Sequence, residues 1–146
     1  MKKTIRTVLF IGWLIMIYSF SAQDGNVSLS ISDGILYTSG RFLSCFVDLD
    51  IYTFVRNNGY LIRKAAHFAE YFILWFLAYG CFKEYGIKRP DVIGILFCIF
   101  WAFFDEFHQL FVAGRSGQMI DCLIDSSASF CAFLLWHIKK KRSNER

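Results

Sequence analysis

The apolar positions of the chain gather into four blocks, residues 4–22, 60–82, 91–112 and 119–138. Each is roughly 20 residues long, the length that crosses about 30 Å of hydrocarbon when wound as a helix. The pattern predicts an all-α fold: an integral membrane four-helix bundle formed as one domain over residues 1–146. The segment between the first two blocks is too apolar for a simple solvated loop. Ile35, Leu36, Phe42, Leu43, Phe46 and Val47 recur at helical spacing, with Tyr52 and Val55 beyond them. One or two short helices lying at the membrane surface are expected there. Asn57-Asn58-Gly59 is expected to turn the chain into the second block.

Composition supports a membrane solvent. The chain is 55% hydrophobic and 19% aromatic, with one proline, where soluble domains run at roughly 45–50% apolar. A net charge of +4 could suggest a nucleic-acid partner, but the placement of the basic residues argues against one. Lys2, Lys3 and Arg6 precede block one, Lys83, Lys88 and Arg89 separate blocks two and three, and Lys139, Lys140, Lys141 and Arg142 follow block four. The segment 23–59 carries Arg41 and Arg56 against Asp24, Asp33, Asp48 and Asp50. The positive-inside rule then makes the protein a multi-pass protein of the cell membrane, with both termini and the middle loop cytoplasmic. Arg63 and Lys64 break the rule at the outer end of block two, which suggests a functional use for them. The C-terminal basic run suits anionic headgroups.

The first block is expected to be retained as a helix, because cleavage after Ala22 would place bulky Phe20 where a small residue is wanted. Five cysteines without CxxC spacing imply neither a disulfide framework nor a zinc finger, and are read as packing residues. His137, beside Lys139, is read as an interfacial residue.

Ionisable residues interrupt the apolar blocks. Each costs roughly 2.5–3.5 kcal/mol at the centre of a bilayer helix, so they must face one another or a wet cavity. Arg63, His67 and Glu70 stand at i, i+4 and i+7, on one helical face. At 1.5 Å per residue, His67 lies about 10 Å and Glu70 about 15 Å inward from residue 60. Asp105, His108 and Gln109 share a face of block three, with Glu106 rotated to its side. Asp121 and Asp125 project from block four, and Ser21 and Gln23 end block one on the same side. These groups converge in the outer half of the membrane.

A histidine beside carboxylates in a poorly hydrated cavity suits proton transfer. His67, Glu70, Asp105, Glu106, His108 and Asp121 are the candidate acids and bases. Arg63, Lys64, Gln109, Arg115, Ser21 and Gln23 are candidate substrate contacts, the two guanidinium groups fitting phosphate or carboxylate oxygens. No nucleophile elbow is present, so water or a substrate hydroxyl is the expected attacker. A divalent metal on His67, Glu70, Asp105, His108 and Asp121 is the competing arrangement. His67-x-x-Glu70 is not the His-Glu-x-x-His helix motif and no cysteine accompanies it, so no metal ligand or cofactor is assigned.

Several segments together carry a resemblance to a known family: Phe20-Ser21-Ala22-Gln23, Ser28-Leu-Ser-Ile-Ser32, Arg63-Lys64-Ala-Ala-His67-Phe-Ala-Glu70-Tyr71, and Asp105-Glu106-Phe-His108-Gln109 running to Gly114-Arg115, with Asp121 downstream. The chain resembles the VanZ-like family, named for a teicoplanin-resistance membrane protein. That family's last helix has the pattern Asp-x-x-x-Asn-x-x-Gly; here Asp125 stands at the Asn position and Ala128 at the Gly position. The resemblance implies a four-helix membrane protein linked to reduced lipoglycopeptide susceptibility, and brings no settled reaction with it. Two functions follow as expectations. One is an outward-facing enzyme acting on a lipid-linked or envelope substrate. The other is a non-catalytic protein that binds a lipid headgroup or lipoglycopeptide.

Overall fold

The computed structural model describes residues 1–48 and 50–144, and among these all regular structure is helical. Five helices follow in order: α1 (Lys2–Ser21), α2 (Gly25–Leu43), α3 (Ile51–Glu84), α4 (Pro90–Gln109) and α5 (Met119–Asn144). Three are long and apolar enough to cross a membrane: Lys2–Ser21, Ile51–Glu84 and, within α5, Met119–Ser143. α4 is also apolar over much of its length but carries Asp91, Asp105 and Glu106, and it is not among the three.

α3 is the central element and packs against each of the other four helices. Its contact face follows from spacing: Tyr71, Leu74, Trp75 and Ala78, at i, i+3, i+4 and i+7, are all wholly buried. Cys98 and Ala102 of α4 meet this face, as do Ala128 and Ala132 of α5. Small side chains let helix backbones approach closely, which is how helices associate where lipid removes the hydrophobic drive. The approach is tight enough for the Ser129 hydroxyl to donate to the Tyr71 carbonyl at 3.3 Å. At the other end of the bundle, the Arg6 guanidinium meets Glu84 at 3.0 Å. His137, read from sequence as merely interfacial, pairs with Asp91 of α4 at 3.1 Å.

One expectation for residues 23–59 is corrected, the turn before the second block. The segment holds α2, a helix of 19 residues capped by Asp24, whose side chain accepts from the Asn26 amide at 2.8 Å, and the start of α3. The predicted turn at Asn57-Asn58-Gly59 is instead helix, because α3 begins at Ile51, after a capping Asp50, and continues through it. Asp50 is the cap: it accepts from the Tyr52 amide at 3.1 Å and the Thr53 hydroxyl at 2.7 Å. The Thr53 hydroxyl bond, foremost, holds the Asp50 carboxyl below its ordinary value. Asn58 turns its amide back to the Phe54 carbonyl at 2.8 Å, satisfying itself within the helix. Gly59 is needed for proximity, since a Cβ there would lie 3.3 Å from the Asp33 carboxylate of α2. With 34 residues α3 is about 51 Å long, well beyond the ~30 Å of hydrocarbon, and α2 lies against its first turns.

Candidate functional site

The site is assembled by a clasp between two connections distant in sequence. The α1–α2 junction meets the α4–α5 loop, where the Gly25 amide donates to the Ala113 carbonyl at 3.0 Å. Gly114 turns the loop with φ of 69°, in the left-handed region that favours glycine. A Cβ on Gly25 would fall 1.9 Å from the Gly114 carbonyl oxygen, so neither backbone tolerates a side chain at this crossing. Arg115 follows and donates from Nη2 to the Phe20 carbonyl at 2.8 Å and from Nε to the Gln23 carbonyl at 3.1 Å. These carbonyls lie at and just beyond the C-terminal end of α1, where a cation is favoured.

Beneath the clasp is a cavity of about 210 Å³ lined by residues of α1, α2, α3 and α4 and by Gln23 and Arg115. Its polar lining includes Ser21, Gln23, Arg63, His67, Glu70, Asp105 and Arg115, all of them candidates from sequence. Its apolar lining is Ile17, Phe20, Ile31, Ile35 and Ile62, supplied by α1, α2 and α3. Arg63 makes no hydrogen bond or ion pair among the described residues, whereas Arg115 spends two of its five donors on α1.

The other sequence candidates stand outside this lining. Lys64 is paired with Asp121 of α5. Glu106, one residue past Asp105 and so about 100° around α4, turns toward the start of α5. There it accepts from the Gln118 amide at 2.7 Å and lines a separate hollow with Gly117 and Cys122. His108 turns to α1, its ring centroid 4.7 Å from that of Tyr18. Gln109 is buried on α4.

Asp125 was not singled out as a site residue, yet it is wholly buried and its Oδ1 lies 3.7 Å from Nδ1 of His67. Its i+4 spacing from Asp121 was the available signal. Among the described residues, neither Asp125 oxygen has a hydrogen-bond partner, nor does Oδ2 of Asp105 or the hydroxyl of Ser21. Buried polar atoms without partners are rare, because each forfeits its hydration without replacement. One donor atom from each of His67, Asp105 and Asp125 falls within 4.8 Å of the others, so these three together could hold a metal ion.

No curated protein and no solved structure matches the chain. A family model described as VanZ/LLP1 matches residues 7–140, a stretch that includes every residue of the cavity lining. The chain belongs to the VanZ/LLP1 family.

Proposed function

We propose that the protein is a four-span membrane enzyme whose cavity opens outward and transfers protons on an anionic, lipid-linked substrate of the cell envelope. The observation that carries this reading is the unpartnered Arg63 guanidinium sharing one small cavity with His67, Glu70 and Asp105. Arg63 would receive a phosphate or carboxylate; the three ionisable groups beyond it would divide the acid and base roles. The isoleucines and Phe20 of the same lining suit an acyl or isoprenoid chain.

Orientation follows from the basic residues. In this topology α1, α4, α5 and the inner part of α3 cross the bilayer, with both termini in the cytoplasm. The exposed apolar residues Val27, Ile31, Ile35 and Phe42 of α2 would lie along the outer surface. The clasp and the cavity then face the outer leaflet, where envelope precursors and lipoglycopeptides such as teicoplanin are met. A contribution to reduced teicoplanin susceptibility would follow from remodelling such a precursor.

The test is an untargeted mass-spectrometric comparison of lipids and cell-wall precursors between a deletion strain and its parent. The proposal expects a lipid-linked species to change in the deletion and return with the wild-type gene. Identical profiles alongside an altered drug response would instead support the non-catalytic reading, binding of a headgroup or antibiotic through Arg63 and Arg115.

A further inference from the structure

We infer that His67, Asp105 and Asp125 form a binding site for a divalent metal ion, with zinc the best match. Two carboxylates, 2% and 0% exposed, meet beside one imidazole, and three of their four oxygens, both of Asp125 and Oδ2 of Asp105, have no hydrogen-bond partner among the described residues. The nitrogen facing them, Nδ1 of His67, is also without a hydrogen bond, since 3.7 Å from Asp125 is beyond hydrogen-bond length. A pair of buried carboxylates this close is costly if both are charged and nothing lies between them. Of the cations nearby, Lys64 is committed to Asp121 and Arg115 to α1, while Arg63 borders the same cavity but makes no ion pair with either carboxylate among the described residues.

A cation answers all of these groups together. The three donor atoms lie within 4.8 Å of one another on three different helices. Bonds of about 2.0–2.2 Å require only a modest inward movement of the side chains. One nitrogen and two carboxylate oxygens form a mixed set that imidazole biases toward zinc over magnesium or calcium. Three protein ligands leave a fourth position open, which distinguishes a reactive site from a purely structural one. His67 and Asp105 both border the cavity, as does Glu70, so an ion held there would sit beside it. This assignment deepens the proposed proton-transfer site, but metal binding is measurable without any substrate, so the two can fail separately.

The test uses the full chain purified in detergent, in a Cys45→Ser, Cys131→Ser background so that the exposed thiols do not compete. Metal is stripped with a chelator, zinc or manganese is added back, and bound metal is measured after gel filtration. The expected result is about one zinc ion per chain. Affinity should fall at least about tenfold in Asp125→Asn and in His67→Gln. Asp91→Asn, which alters the other histidine–aspartate pair of the molecule, should bind as the parent does. Zinc should also raise the thermal midpoint of the parent and of Asp91→Asn. Should Asp125→Asn fail to fold, His67→Gln and the parent decide the matter. A parent that retains well below one ion per chain overturns the inference, and so does stoichiometric zinc unaffected by His67→Gln.

Discussion

Nδ1 of His67 on α3 stands 3.7 Å from Oδ1 of Asp125 on α5, and Asp125 is wholly buried. The two residues are 58 positions apart, and together they tie the polar interior to the central helix. Removing one member of a buried polar pair leaves the other without a neighbour to answer it, at a cost of about 1–3 kcal/mol, whereas replacing both by apolar groups is far milder. His67→Leu should therefore destabilise the protein strongly, and adding Asp125→Leu should recover part of the loss. Thermal unfolding in detergent checks this. Strictly additive losses in the double variant would show that the two side chains do not depend on each other.

The crossing of Gly25 and Gly114 is a matter of space. Gly25→Ala places a methyl group against the Gly114 carbonyl, and backbone cannot yield as a flexible side chain would. A destabilisation of about 1–3 kcal/mol is expected, the usual range for overpacking. An unchanged midpoint for Gly25→Ala would contradict the clasp.

Arg115 and Arg63 should behave differently although both border the cavity. Arg115→Ala removes two bonds to the end of α1 and should lower stability by about 1–3 kcal/mol. Arg63→Ala removes no bond within the protein and should leave the midpoint nearly unchanged while abolishing function. Arg63→Lys should retain only part of the function, since an ammonium cannot make the bidentate contact. Full drug response and lipid profile in Arg63→Ala would remove the anion site.

Much of this arrangement is legible in the sequence because charges inside apolar blocks have few places to go. The i, i+4, i+7 spacing of Arg63, His67 and Glu70 brings all three to the cavity. Other parts are illegible because they depend on rotation and contact. Glu106 and His108 follow Asp105 within three residues, yet a helical turn sends one toward α5 and the other toward α1. The helix through Asn57-Asn58-Gly59 depends on a capping Asp50 and on α2 lying against Gly59, neither of which local turn propensity records. Asp125 resembled a departure from a family pattern, and only packing revealed it beneath His67.

Topology can be read with the native thiol. Cys45 is exposed beyond the end of α2, and the proposed orientation places it outside the cell. An impermeant maleimide should label Cys45 in sealed cells. A Lys141→Cys, Cys45→Ser variant should react only after the membrane is opened. Equal labelling of both positions in sealed cells would reject the orientation.

Proton transfer in the cavity is tested most directly by isosteric carboxylate variants, scored on the lipid-linked species that the deletion alters. Glu70→Gln and Asp105→Asn keep shape and hydrogen-bonding capacity while removing the exchangeable charge. Glu106→Gln makes the same change outside the cavity, at the Gln118 amide. With membrane levels matched, losing a general acid or base lowers rate by about 100- to 10,000-fold. Glu70→Gln or Asp105→Asn should therefore leave the deletion profile uncorrected, while Glu106→Gln restores it. Restoration of the parental profile by both Glu70→Gln and Asp105→Asn would contradict proton-transfer catalysis at this site.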